Sequence, residues 1–170
     1  MSESPWLTVV TVVKDDVPGL EKTIRSLVEQ VNLSGVEYLV IDSSENSTAV
    51  ETAVKESLIA SALFSWCEPQ GIYAAMNTGL SLARGKYIYY LNAGDLLADP
   101  LVISDLKQSI EAVDPVWVVG RVEISEVSGK TVVSKSWDYH AEKKALFARG
   151  VFPPHQGTII RTESLQAVGG

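Results

Sequence analysis

Apolar positions along the chain follow two rhythms, and their alternation predicts most of the architecture. Trp6–Val13 (WLTVVTVV) is a β-branched apolar run of strand length with little alternation, as expected for a strand covered on both faces. Lys14-Asp15-Asp16 interrupts it, Asp15 or Asp16 offers a helix N-cap, and Pro18 suits the first helical turn. Leu20, Ile24, Leu27 and Val31 then recur at helical spacing and form one apolar face. Val36–Ile41 repeats the strand pattern, and a helix over about 49–63 follows with Val50, Val54 and Leu58 on one side. Phe64–Cys67 reads as a short strand. Next comes a helix with Ile72, Ala75, Met76, Gly79, Leu80 and Ala83 on its apolar face, closed by Arg84-Gly85 as a glycine cap, and then the aromatic strand Lys86–Leu91.

Four strands alternating with three helices predict a parallel sheet joined by crossovers. After Asp95 the grammar changes. Asp99-Pro100 starts a helix bearing Leu101, Ile103, Leu106 and Ile110. Val116–Ile124 and Thr131–Trp137 read as a hairpin turning at Ser128-Gly129-Lys130, followed by a helix around 141–149, a strand at Thr158–Arg161 and a helix at Ser164–Val168. The expected fold class is therefore α/β. It is a single domain with a mostly parallel central sheet flanked by helices and a β-hairpin in the C-terminal third. Gly169-Gly170 reads as a helix cap that leads into a further element, so the chain is expected to be a fragment of a longer protein.

Composition narrows the class. The chain has 170 residues, 46% of them hydrophobic, which suits one globular domain with a substantial core. A net charge of -7 and no basic stripe argue against nucleic acid as a partner. Cys67 is the single cysteine, so no intrachain disulfide is available. The N-terminus has neither the basic segment nor the apolar run of a signal peptide, and no apolar run is long enough for a transmembrane helix.

Three polar loops follow three apolar strands: Lys14–Asp16, Asp42–Ser47 and Asn92–Asp95. In an open α/β sheet such loops share one edge and converge on a ligand. A carboxylate such as Asp42 can accept from a base N–H, and Ser43, Ser44, Ala93 and Gly94 are small enough for a ribose or diphosphate to approach the backbone. Asp95 suits a hard divalent cation, Mg²⁺ or Mn²⁺, that bridges phosphate oxygens. Plainer readings stand beside these. Acidic and serine-rich loops are most often helix caps and solvated turns, a mid-helix Asn77 usually faces solvent, and His155-Gln156 fits a surface loop. No G-x-G-x-x-G, Walker A or Cys/His zinc pattern is present.

The stretch EPQGIYAAMNTGLSLARGKYIYYLNAGD, residues 68–95, resembles the signature of family 2 glycosyltransferases of the GT-A fold. The nearest subgroup is similar to transferases of bacterial capsule and colanic-acid-type polysaccharide synthesis. TVVTVVKDDVPGLEKTIRSLVEQ resembles that family's first strand and helix, YLVIDSSENST its acidic loop, and PHQGTIIRTESLQAVGG its H-Q motif. The resemblance implies that Thr11 and Val13 line a nucleotide pocket and that Asp42 faces the base. Ser44, Asn77, Asn92, Ala93, Gly94 and Asp95 complete the nucleotide-sugar set, with Asp95 as the metal carboxylate and His155 and Gln156 on the acceptor side. It further implies a nucleotide-binding half at 1–95 and the start of an acceptor half at 96–170. The implied chemistry is inverting sugar transfer from a nucleoside-diphosphate sugar to a saccharide or lipid-linked saccharide. The implied location is cytoplasmic, with peripheral contact at the inner face of the membrane. Three departures stand out: Gln70 replaces an aspartate of the family's E-P-D-x-G, Ala74 replaces that of I-Y-D-A-M-N, and Ser43 stands where relatives carry glycine. The family's general base falls beyond Gly170, so no catalytic residue is assigned. These departures favour an alternative, a non-catalytic relative that holds a nucleotide or a partner. A nucleotidyltransferase reading is weaker, because Lys14-Asp15-Asp16 does not resemble the glycine-rich basic loop such enzymes carry.

Overall fold

β1 (Leu7–Val13) and β2 (Val36–Asp42) are buried along their whole lengths, as runs without polar alternation must be. The computed structural model describes residues 4–125, 131–133 and 139–169. The remaining elements are α1 (Val17–Val28), α2 (Thr48–Glu56), β3 (Ala62–Trp66), α3 (Ile72–Leu82), β4 (Tyr87–Tyr90), α4 (Val102–Val113), β5 (Trp117–Val119), β6 (Glu123–Ser125), β7 (Thr131–Val133), α5 (Tyr139–Ala148), β8 (Thr158–Arg161) and α6 (Thr162–Ala167). The main sheet runs β3-β2-β1-β4-β8-β5, with the first four strands parallel and β8 antiparallel to both neighbours. β6 and β7 form a separate antiparallel pair, the hairpin expected in the C-terminal third.

Side-chain parity splits the core into two layers. Leu7, Val9 and Val13 of β1 join Tyr38, Val40, Tyr87 and Tyr89 beneath Leu20, Leu27, Ile103 and Leu106 of α1 and α4. Val10 and Val12 point the other way, with Leu39, Ile41, Ile88 and Tyr90, against Ala75, Met76 and Leu80 of α3. Period-two alternation inside an apolar run thus feeds both faces of one sheet. The chain winds from β1 outward to β3, then returns through α3 to place β4 on the other side of β1. That reversal makes the crevice at the C-terminal ends of β1 and β4 the switch point where such sheets bind ligands. No helix among the described residues is long and apolar enough to cross a membrane.

Several expectations need correction. Val31 lies beyond α1 and is 69% exposed. α2 stops at Glu56, leaving Leu58 86% exposed, while Ile59 fills the core in its place. Arg84-Gly85 is not a left-handed glycine cap: α3 ends at Ala83 in extended conformation, and Gly85 is absent from the positive-φ residues. Gly85 is needed for closeness instead, because an added Cβ would collide with the backbone of Leu7 and Thr8. The α4 helix begins at Val102, after an Asp99 side chain accepts from the Leu101 N–H (2.8 Å). Val116–Ile124 is two strands in two sheets rather than one strand, since β5 pairs with β8 and β6 with β7. The expected turn at 128–130 lies outside the described residues.

At the opposite edge from the crevice, Glu37 is buried (2% exposed) yet fully engaged. It accepts from the Thr8 hydroxyl (2.7 Å), the Arg84 N–H (2.9 Å) and the Arg84 Nε (2.6 Å). Burial alone would raise its carboxyl; the Arg84 backbone, the Thr8 hydroxyl and the guanidinium outweigh it and hold the group below its ordinary range. A depressed folded pKa means this stabilisation is complete above the unfolded value and is lost as pH falls through the folded one. Glu37→Gln is therefore expected to lower unfolding free energy by about 1–3 kcal/mol at neutral pH. Urea denaturation read across acid pH should show that gap narrowing.

Candidate functional site

The three polar loops meet at the switch point and are tied to one another. The Val13 carbonyl accepts the Ser43 N–H (2.9 Å), so β1 and β2 stay paired past their ends. Asp42 is fully buried, and its Oδ1 accepts from the Ser44 N–H (2.9 Å) and hydroxyl (2.6 Å). The Ser44 hydroxyl in turn accepts the Asp15 N–H (2.8 Å), and the Ser44 carbonyl accepts the Trp66 indole N–H (3.2 Å). This grip holds Asp15 at φ 53°, a left-handed conformation that is uncommon outside glycine. Asp16 follows and caps α1 by accepting the Gly19 N–H (2.9 Å).

On the β4 side, the Leu91 and Ala93 N–H groups continue the ladder to the Val10 and Val12 carbonyls (3.0 and 3.1 Å). Gly94 turns the chain at φ 91°, and the Asp95 N–H returns to the Asn92 carbonyl (2.9 Å). Buried polar side chains on α1 and just past its end fix this loop. The Thr23 hydroxyl donates to the Asp95 carbonyl (2.8 Å) and accepts the Gly94 N–H (3.0 Å). Ser26 Oγ accepts the Leu97 N–H (3.3 Å), while Gln30 bonds the Asp99 carbonyl (2.8 Å) and the Ile103 N–H (3.1 Å). Thr23 and Ser26, three residues apart, share one face of α1, and Gln30 follows on the same side just past the helix end. The sequence reasoning passed over them; the signal was two polar residues on the side of α1 that also carries Leu20 and Leu27, with a third just after the helix.

Between the loops lies a cleft of about 460 Å³, lined by ends of β1 (Val12, Val13, Lys14), the β4 loop (Asn92, Ala93, Asp95) and the start of α3 (Gly71, Ile72, Ala75), with Asp16, Ser43, Pro69 and Gln156. Of the residues singled out from sequence, Val13, Asn92, Ala93, Asp95 and Gln156 line it directly. Asp42 and Ser44 stand behind Ser43 as buried supports, and Gly94 turns the loop without lining the cleft. His155 reaches the site through Asn92, whose amide nitrogen is 3.1 Å from its Nε2. Thr11 and Asn77 are not among the lining residues. Thr11 is buried in the sheet, donating to the Leu91 carbonyl (2.7 Å) and accepting from the Tyr38 hydroxyl (3.1 Å). Asn77 is exposed on α3, on the face away from Ala75, Met76, Gly79 and Leu80. Lys14, Asp16, Pro69, Gly71, Ile72 and Ala75 line the cleft without having been chosen as site residues.

The cleft has the electrostatics of an incomplete site. Asp42 Oδ2, Asn92 Oδ1 and Asp95 Oδ2 are buried without a hydrogen-bond partner. Burial pushes the Asp95 carboxyl above its ordinary range, against the pull of the Asn92 backbone and the nearby His155. The same carboxylate adds to the burial that raises the Tyr89 hydroxyl, which donates to the Gln156 carbonyl (2.8 Å). Among the described residues no three His, Cys, Asp or Glu side chains cluster into a cage for a cation. A single carboxylate fits the other common arrangement, in which Mg²⁺ takes one or two protein carboxylates and completes its shell with phosphate oxygens and water.

Residues 8–169 match the family model described as glycosyl transferase family 2. The whole chain aligns at 25% identity with two proteins of Mycobacterium tuberculosis named as uncharacterized glycosyltransferases, MT1564 and Rv1514c, and spans 64% of the length of each. In fold it is similar to the mannosyltransferase PcManGT of Pyrobaculum calidifontis in complex with GDP-Man and Mn²⁺, with TM-score 0.68, 20% identity, and coverage of 99% of this chain and 48% of that one. It is also similar to S. aureus TarS 1-349 in complex with UDP-GlcNAc, with TM-score 0.74, 16% identity, and coverage of 95% and 47%.

Thr23→Val keeps the side chain's shape but removes the hydroxyl that accepts the Gly94 N–H and donates to the Asp95 carbonyl. The cost expected is about 1–3 kcal/mol of stability. Amide hydrogen exchange at Gly94 and Asp95 should accelerate well beyond that of the β1 amides, which a uniform loss of stability would not produce.

Proposed function

This chain belongs to glycosyl transferase family 2, and we propose that it forms the donor-binding part of an enzyme that moves a sugar from a nucleoside-diphosphate sugar to an acceptor hydroxyl with inversion at the anomeric carbon. The observation that carries the reading is the convergence of Ser43, Asn92, Ala93 and Asp95 on one cleft at the sheet's switch point, with Asp42 directly behind Ser43 and buried acceptor oxygens left unpaired. In this reading residues 1–95 supply the nucleotide half, and 96–170 begin the acceptor half through His155 and Gln156.

Each residue then has a task its environment supports. Asp42, fully buried behind Ser43, is held by Ser44 at Oδ1 with Oδ2 unpaired, and in this reading Oδ2 is the acceptor for a base N–H once the nucleotide is seated. Val13 and Ser43 form the floor under the nucleoside, and Ala93 lets the diphosphate come close to the backbone. Asp95 holds Mg²⁺ or Mn²⁺; bound there, the cation would supply Lewis-acid neutralisation of charge on the diphosphate. Asn92 is oriented by His155, and Gln156 by the bond its own carbonyl accepts from the Tyr89 hydroxyl, on the side from which the acceptor enters. As the acceptor oxygen bonds to the anomeric carbon, the bond from that carbon to the diphosphate breaks, and a general base takes the hydroxyl proton. We assign that base to no residue of this chain. A saccharide or lipid-linked saccharide acceptor, and thus cell-surface polysaccharide synthesis at the cytoplasmic face of a membrane, is the setting that the sequence resemblance supports.

A second reading, a non-catalytic nucleotide-binding relative, is favoured by one feature. Gln70 is exposed and engages only Glu68 (3.4 Å), and Ala74 leaves the first turn of α3 without an acidic residue. Release of UDP or GDP from the matching sugar nucleotides would exclude it. For the donor site itself, titration calorimetry with UDP and GDP is expected to show tighter binding in Mn²⁺ than in EDTA, and Asp95→Ala should erase that difference. Binding that ignores both the metal and the substitution would overturn the role given to Asp95.

A further inference from the structure

Lys14 is the one cation among the described residues lining the cleft; the other charged residues there are Asp16 and Asp95. The remaining lysines and arginines with described partners are engaged elsewhere: Lys55 with Glu51, Arg84 with Glu37, Lys86 and Arg161 with Asp114, Lys107 with Glu111. Lys14 enters no ion pair among the described residues and is exposed. Its backbone, by contrast, is fixed on both sides. Val13 before it is clamped to Ser43, and Asp15 after it is held in a left-handed conformation by Ser44. Backbone strain of this kind persists only where the surroundings over-determine it, and it gathers at functional sites. Here its effect is to turn the chain sharply just after Lys14, so that the side chain stays at the mouth while Asp16 turns back to cap α1.

The position also has the right neighbours. β1 lies between β2 and β4, so Lys14 emerges between the Asp42 loop and the Asn92–Asp95 loop. A ligand spanning those two loops passes the lysine on its way. Its four-carbon stem lets the ammonium follow a phosphate as a point charge rather than as a rigid fork.

Resting on the donor-site reading above, we propose that Lys14 pairs with the phosphates of the nucleotide and gives this cleft a part of its diphosphate affinity that does not depend on a divalent cation. The role is specific to phosphate. A bare nucleoside gains nothing from Lys14, and added salt weakens the pairing while leaving contacts to the base and ribose largely intact.

The test compares UDP and GDP with uridine and guanosine by titration calorimetry in EDTA, at low and high salt, on the intact chain, on Lys14→Met and on Lys55→Met. Lys55→Met removes the same charge from exposed α2, away from the cleft. The expected result is a diphosphate-over-nucleoside preference that Lys14→Met lowers about tenfold or more, the scale of a hydrogen bond to a charged group. Lys55→Met should leave the preference unchanged, and high salt should erase the difference between the intact chain and Lys14→Met. An unchanged preference in Lys14→Met would overturn the proposal, as would an equal loss for nucleoside and diphosphate. If Mn²⁺-dependent nucleotide binding survives either of those results, the donor-site reading stands and only the lysine's role falls. If none of the four compounds binds with or without Mn²⁺, the donor site itself is wrong, and this proposal with it.

Discussion

β1 is hydrogen-bonded along both sides, to β2 from Leu7↔Val36 through Val13↔Asp42 and to β4 from Leu7↔Tyr87 through Val10↔Tyr90. Both its faces are also covered, one by the layer under α1 and α4 and the other by α3. Slipping such a strand by one residue would exchange those faces and send every side chain into the wrong layer. Register is therefore set by burial throughout the strand. The same register places the ends of β1, β2 and β4 level with one another, and the site is what projects from those ends. Gly85 reinforces the arrangement at the opposite end, where its missing Cβ allows the start of β4 to lie against Leu7 and Thr8.

Polar groups inside this frame divide by whether they have partners. Thr11 with Tyr38, Glu37 with Thr8 and Arg84, and Thr23 with the β4 loop are satisfied, and such bonds contribute roughly 0.5–1.5 kcal/mol net, or about 1.5–3 where a charge takes part. Their greater effect is to forbid alternatives, since breaking one strands a buried group. Against that background, three of the five buried side-chain atoms without a partner among the described residues lie at or just behind one cleft: Asn92 Oδ1 and Asp95 Oδ2 on residues that line it, and Asp42 Oδ2 behind Ser43. Unpaired acceptors are costly, so their gathering in one place, facing loops that are otherwise heavily bonded, marks where the fold gives up stability for a ligand. All three are acceptors. Hydrogen-bond donors or a cation are the chemistry that would complete them.

The sheet and the position of the site were legible because they rest on burial, and burial writes a period into the sequence. Strands with no polar alternation announced a two-faced parallel sheet, and polar residues directly after those strands announced the loops at its edge. What escaped were features decided by tertiary contact. Helical periodicity carried α2 on to Leu58, but the chain turns after Glu56 and buries Ile59 instead. A glycine after a helix suggested a cap, whereas Gly85 is required by an approaching strand. Val116–Ile124 has the composition of one strand, and nothing local says that its two ends pair in different sheets. Thr11 and Asn77 came from resemblance alone. The burial pattern puts Thr11 inside the sheet and Asn77 on the outward face of α3. Conversely, Thr23 and Ser26 interrupt the apolar face of α1 and Gln30 follows at its end, and such an interruption is itself a sign that a helix holds something polar.

Charge poses the last constraint. Acidic residues outnumber basic ones by 21 to 14, so the chain as a whole repels an anionic ligand. That repulsion is a long-range field, and at physiological salt it decays over about 8 Å. Recognition inside the cleft works at shorter range, where one placed cation outweighs a diffuse excess of surface carboxylates. The cleft's own balance is modest: Lys14 against Asp16 and Asp95, with Asp16 engaged in capping α1. A diphosphate entering there cannot be held by net attraction, so its binding must be geometric. In the reading proposed above it would depend on backbone brought close by Ala93, on one lysine fixed by a strained turn, and on a buried carboxylate that takes a counter-charge. An acidic protein can bind an anion on those terms because the frame around β1 keeps each group where the ligand's charge will fall.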